Sequence, residues 1–236
     1  MNRQLRAIIA AASVVVLGSA ALVSQANAGP RVPQVPVVGG TLQAFFNSIG
    51  ETINVNTDQQ DLSVFQHSAS GNALLTLKYQ SSPNAATQQV GIYNASAVIP
   101  PLFFVIQGSV GPLGFSGMSF KPGNIVTVNR FDANGNFLSQ TTFGGVDPTN
   151  FGFYLAMPPG TTFSQDYRNP GGLPHMLVFA GSGQNAGEFF LCWDEPGVGG
   201  PGDQDFDDCV LILESVSPLA TVPATIGGVK SLYRDK

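Results

Sequence analysis

Hydrophobic and polar positions change their period once along the chain. Leu42, Phe45, Phe46 and Ile49 recur at i, i+3, i+4 and i+7, which sets them on one face of a short helix. Thr41 suits its N-cap and Gly50 its C-terminal stop. Such a face serves either a partner or, more commonly, a short plug at one end of a core. After Gly50 the apolar runs are short and strand-like. They cover Leu62 and Val64, Ala73 to Tyr79, Val90 to Tyr93, Leu102 to Ile106 and Phe151 to Met157. Met176 to Ala180, Phe189 to Trp193 and Cys209 to Leu213 follow. Ile125 to Phe131 and Phe137 to Phe143 flank Asp132-Ala133-Asn134-Gly135-Asn136, and Asn-Gly between such runs signals a hairpin. Gly, Pro, Asn and Ser separate the runs, and strands do not alternate with helices. The pattern therefore predicts an all-β, antiparallel β-sandwich of jelly-roll-like type with a short N-terminal helix, and argues against a doubly wound α/β fold.

The ends of the chain read differently. Arg3 and Arg6 precede an apolar run from Ala7 to Val23, and Ala26-Asn27-Ala28 is an A-x-A cleavage pattern. Residues 1–28 are thus expected to be a secretory signal peptide, so the protein is expected to be secreted, extracellular or periplasmic. No later segment has the ~18 consecutive apolar residues of a membrane span. Residues 29–40 (GPRVPQVPVVGG) are Pro-rich and read as a polyproline-II tether. The domain is expected to occupy 41–216, with 217–236 a flexible tail.

Composition sharpens this picture where charge is concerned. The 236 residues carry a formal charge of -5, and only 11% are charged. An acidic balance argues against a nucleic-acid partner, which needs a basic face. The acidity is also local. Between Arg168 and Lys230 there is no Lys or Arg, while Glu188, Asp194, Glu195, Asp203, Asp205, Asp207, Asp208 and Glu214 all fall there. Six of those carboxylates lie between Asp194 and Asp208. Like charges a few Å apart repel by ~1 kcal/mol or more. An extended Gly202 to Asp208 would set Asp203, Asp205 and Asp207 on one face and Phe206 and Asp208 on the core-like other. Crowding of this kind without a nearby base suits a hard divalent cation, since Ca²⁺ takes six to eight oxygen ligands. The candidate calcium ligands are Asp194, Glu195, Asp203, Asp205, Asp207 and Asp208, brought together by a loop hinged on Gly197, Gly199, Gly200 and Gly202. The alternative is a solvated acidic turn that aids solubility.

An EF-hand does not fit. Asp203, Asp205 and Asp207 occupy its first, third and fifth positions, but Asp208 stands where the motif needs Gly. Glu214, at the twelfth position, would be carried away along a strand and is excluded. Cys192 and Cys209 flank the acidic loop. If their strands pair around Gly200-Pro201, the two cysteines face each other and a disulfide would clamp the loop; the alternative is two buried free thiols.

The segment from Phe151 to Val216 resembles the bacterial domain-of-unknown-function family 4114. The resemblance rests on Gly152-Phe153-Tyr154-Leu155-Ala156-Met157-Pro158-Pro159-Gly160, on His175-Met176-Leu177-Val178-Phe179, and on the closing acidic phrase. That phrase is Trp193-Asp194-Glu195, then Gly199-Gly200-Pro201-Gly202-Asp203-Gln204-Asp205-Phe206-Asp207-Asp208-Cys209-Val210. The resemblance implies a secreted or surface β-domain of bacteria, calcium at the acidic phrase, and no attached enzymatic activity. This chain differs in the order Asp194-Glu195, in Asp207 where Asn is usual, in its two cysteines, and in lacking a C-terminal sorting signal.

Catalytic motifs are missing. Gly114-Phe115-Ser116-Gly117 lacks the spacing of a nucleophile elbow, and Gly181 to Gly187 misses the dinucleotide spacing by one residue. His67 and His175 have no ligand-spaced partner for zinc. The expectation is a non-catalytic, calcium-bearing β-domain meeting a surface polysaccharide or an extracellular protein. The alternatives are a calcium-dependent carbohydrate-binding module, with Tyr154 or Trp193 stacking on sugar, and a polysaccharide hydrolase with two separated carboxylates.

Overall fold

The structure is a computed structural model and describes residues 28–158, 160–196 and 202–219. Nearly all of the expected signal peptide and tail lies outside the described residues, as do the hinge positions Gly197, Gly199 and Gly200. Helix α1 (Thr41–Ser48) comes first. The strands follow as β1 (Phe65–His67), β2 (Asn72–Tyr79), β3 (Gln89–Asn94), β4 (Leu102–Gln107), β5 (Phe115–Lys121), β6 (Ile125–Phe131) and β7 (Phe137–Gly144). Then come β8 (Phe151–Met157), β9 (Gly160–Phe163), β10 (Met176–Ala180), β11 (Phe189–Trp193), β12 (Cys209–Glu214) and β13 (Val216–Pro218). One sheet runs β13-β1-β8-β3-β4 with β9 added on β8, and the other runs β10-β11-β12-β2-β5-β6-β7. Every pairing is antiparallel. The two sheets pack face to face, so the expected all-β sandwich is what the chain forms.

The core between the sheets is built by alternation. Leu75 and Leu77 from β2, Phe151 and Phe153 from β8, and Leu191 and Trp193 from β11 all point into it. A second core lies on the outer face of the larger sheet, and here the structure corrects an expectation. Helix α1 does not plug an end of the sandwich. Leu42, Phe45 and Phe46 lie across β10, β11 and β12 and bury Phe179, Phe190, Cys192, Val210 and Ile212. The Phe46 ring meets Phe179 at 5.4 Å and Phe190 at 5.1 Å, both edge to face. Strands covered on both sides must be apolar throughout, which is why β11 reads Phe-Phe-Leu-Cys-Trp without a polar break. The helix is capped by Gly40 without a side-chain bond, so Thr41 is not its N-cap.

Residues 29–40 are a docked strap rather than a free tether. Arg31 donates its backbone N–H to the Gln59 carbonyl at 2.8 Å, and its guanidinium pairs with Asp166. Val35 N–H donates to Gln59 Oε1 at 2.8 Å, and Val38 N–H donates to the Gln204 carbonyl at 2.9 Å. Val35 and Val37 pack on the second core, so the Pro-rich run is extended because it lines a surface. Strand β13 likewise carries ordered pairing two residues past the expected domain boundary. Strand β5 escapes the sequence pattern because Ser116 sits on its inward face, where its hydroxyl donates to the Val105 carbonyl at 3.0 Å.

Candidate metal centre

Strands β11 and β12 form an antiparallel pair whose last partners are Trp193 and Cys209. Asp194 therefore leaves one strand, and Asp208 enters the other, at the same end of the sheet. Glu195 N–H donates to Asp208 Oδ2 at 2.7 Å and extends that contact by one step. The stretch before β12 is not extended. Gln204 and Phe206 hold φ of 63° and 55°, left-handed values that curl the backbone. Phe206 is fully buried in the second core and anchors the curl. Gly202 is required by close approach, since a Cβ there would collide with Asp194 Oδ2 and the Glu195 carbonyl. The curl directs Asp203 and Asp205 toward Asp194 and Asp208.

Four carboxylates converge as a result. Asp194, Asp203, Asp205 and Asp208 each offer an oxygen, and these oxygens all lie within 4.8 Å of one another. Calcium binds oxygen at 2.3–2.6 Å, so two ligands across the ion are separated by about 5 Å. The observed spacing fits inside that sphere. Asp194 is buried, Asp205 and Asp208 are half-buried and Asp203 is exposed, so the cluster opens to solvent on one side.

The four oxygens have little to balance them. Asp194 is 1% exposed and takes one backbone bond, from Gln204 N–H at 2.8 Å. His175 Nδ1 lies 3.7 Å from Asp194 Oδ2 but bonds the Asp194 carbonyl at 3.0 Å. Burial lowers the His175 pKa, which keeps that ring neutral at pH 7. Among the described residues no Lys or Arg pairs with the cluster. Burial pushes Asp194 up to about 8, with Asp208 and Asp203 adding repulsion against the Gln204 bond. Burial pushes Asp208 up to about 7, with Glu195, Asp205 and Asp203 adding to it. Burial also pushes Asp205 up to about 6, reinforced by Asp207 and Asp203. A cation would reverse each of these shifts.

Two of the six expected ligands are used otherwise. Glu195 faces the β2–β3 connection, where it accepts bonds from Ser82 Oγ, from Asn84 Nδ2 at 2.9 Å and from Gln88 Nε2 at 2.5 Å. Gln88 also reaches the Asp208 carbonyl at 3.2 Å. Asp207 is 1% exposed and accepts from Ser81 Oγ. It does not share an outer face with Asp203 and Asp205, because the left-handed residues break the alternation. Both carboxylates thus tie the acidic loop to residues 81–88. The signal for that cradle is the polar, amide-rich run Gln80-Ser81-Ser82-Pro83-Asn84, with Gln88 and Gln89 behind it, which hydrophobic patterning passes over.

The cysteines are corrected as well. Cys192 stands opposite Val210, and Cys209 opposite Trp193. The register is one residue away from the one that would oppose them, and one residue moves a side chain to the other face. Cys192 accordingly lies in the helix-side core and Cys209 in the core between the sheets. Both are free and buried, and burial pushes both thiols up. Tyr154 and Trp193, the aromatics expected to meet sugar, are 3% and 0% exposed and cannot stack on a ligand. No helix among the described residues is long and apolar enough to cross a membrane. No protein-family model, curated protein or solved structure matches this chain.

Proposed function

We propose that the protein is a secreted, non-catalytic β-sandwich in which Asp194, Asp203, Asp205 and Asp208 hold one structural Ca²⁺. The observation that carries this reading is the convergence of four carboxylates, one of them almost fully buried, with no Lys or Arg among the described residues to neutralise them. Burying an unpaired charge costs several kcal/mol, so an arrangement of this kind needs a counter-charge. The ion would tie the β11 exit to the β12 entrance, and the strap bond from Val38 to Gln204 would be fixed with them. The resemblance to family 4114 rests on the same acidic phrase and belongs to this proposal. So does a role in adhesion or contact with an extracellular polysaccharide or protein.

Titration calorimetry on the chelator-treated full chain tests the site. The expected result is one calcium per chain, with Mg²⁺ binding at least tenfold more weakly. Mg²⁺ demands a tighter octahedron at 2.0–2.1 Å and gives up its water reluctantly. Absence of calcium heat, together with unchanged thermal unfolding, would refute the site.

A further inference from the structure

Among the described residues five strands lie at sheet edges, and four of them are short or protected. Strand β9 has four residues, and Asn169 takes both the N–H and the carbonyl of Phe163, at 2.8 and 3.0 Å. The carbonyls of β4 are taken from within: Arg130 Nε donates to Val105 O at 2.8 Å and Arg130 Nη2 to Phe104 O at 2.5 Å. Strand β10 is overlaid by the Gln59 bridge to Phe179 and by Gln60 N–H donating to Val178 O at 2.8 Å. Strand β13 has three residues and ends in Pro218. Inward cations, covering chain, short length and proline are the usual ways of blocking an edge.

Strand β7 is left more open: Arg130 Nη1 reaches it through the Thr141 and Ser139 hydroxyls, at 2.9 and 3.4 Å, and no other described strand pairs along its outer side. It is eight residues long, Phe-Leu-Ser-Gln-Thr-Thr-Phe-Gly, with no charge and no proline. Residues 137–140 are all exposed, Phe137 at 59% and Leu138 at 51%. Among the described residues it pairs with β6 on one side only. It is also four strands from β12, about 19 Å at ~4.8 Å per strand, which removes it from the acidic cluster.

The sequence of β7 is nearly the same read in either direction about Gln140. A two-fold axis there would set Gln140 against Gln140, Ser139 against Thr141 and Leu138 against Thr142, and would bring Phe137 to the Phe143 end of the other copy. A closed two-fold dimer needs a surface that is complementary to itself, and an antiparallel strand pair supplies one. This strand is neutral and the acidic cluster lies four strands away, so a second copy can approach the edge without facing that charge. We infer that β7 is a self-association edge, through which two copies join their larger sheets into one continuous antiparallel sheet centred on Gln140.

Sedimentation equilibrium on the full chain, loaded up to about 0.5 mM, reads the association. A dissociation constant of ~0.1 mM would leave more than half the chains dimeric there. The expected result is a monomer–dimer equilibrium that Gln140→Lys weakens at least tenfold, because it opposes two like charges across the axis. Gln140 is exposed, and its bond to Asn129 lies on the surface, so the fold should survive the change. Gln140→Cys gives an independent readout: mild oxidation should link two copies through residue 140, since Cys192 and Cys209 are buried. A chain that stays monomeric over the whole range overturns the inference. A dimer that ignores Gln140→Lys and fails to cross-link at residue 140 overturns it too. Neither outcome depends on calcium, so the result is separable from that of the metal site.

Discussion

Asp205→Asn should raise stability in chelator and remove much of the response to calcium. In the cluster the carboxylate oxygens lie within 4.8 Å of each other. At that separation a pair repels by about 1 kcal/mol in water and about 3 kcal/mol at an effective dielectric constant of 20. Asp205 is half-buried and partly screened, so neutralising it should release about 1–2 kcal/mol in the metal-free protein. The amide keeps the acceptor for Asp207 N–H, at 3.2 Å, so the curl need not change. With calcium the comparison turns round. Extracellular sites bind at about 0.1–1 mM; at 10 mM ion and a dissociation constant of ~0.1 mM the native chain gains about 2.7 kcal/mol. For a chain of this size that is a rise in Tm of roughly 5–10 °C. Loss of one charged ligand should weaken binding at least tenfold and leave a gain of no more than about 1.4 kcal/mol. Differential scanning calorimetry in chelator and in calcium measures all four states. A variant that is less stable in chelator, or that keeps the full calcium shift, refutes the account, because ordinary disruption of the loop would lower both curves together.

Other consequences can be checked alongside. The folded-state values of Asp194, Asp208 and Asp205, about 8, 7 and 6, lie above the ordinary carboxylate value, so the metal-free fold binds more protons than the unfolded chain. Stability in chelator should therefore fall as pH rises from about 4 to about 8, and saturating calcium should flatten that slope. Glu195→Ala should cost about 1–3 kcal/mol in urea unfolding, because Ser82, Asn84 and Gln88 lose their shared acceptor, yet calcium should still bind one per chain. Ellman's reagent should find no reactive thiol in the native protein and two on unfolding, and mass spectrometry should find no disulfide.

Local patterns read well in this chain, whereas facts that depend on register or on distant partners do not. Apolar runs such as Phe189–Trp193 and Cys209–Glu214 mark their strands because burial on both faces demands it. Charge crowding alone points to an acidic cluster between Asp194 and Asp208, but an extended stretch would turn Asp208 away from Asp203 and Asp205, and it is the left-handed curl that brings these four together. The separation of Cys192 from Cys209 was not, since it turns on a single step of register that composition does not carry. Glu195 and Asp207 look like ligands by type and spacing. Their real partners, Ser82 and Ser81, lie 113 and 126 residues earlier, beyond the reach of any local pattern. The strap fails in the same way: its prolines describe an extended chain but not the groove of Gln59 and Val55 against which it lies.

Trp193 is the chain's one tryptophan, fully buried and next in sequence to Asp194. The protein thus carries its own optical probe at the end of the sheet where the ion is expected. Its emission should be blue-shifted in the folded chain and should move to the red when the β11–β12 turn loosens. Because β7 stands at the far edge of the same sheet, association there should leave the fluorescence unchanged. One cuvette can then follow the acidic end by colour while light scattering follows the other edge by mass.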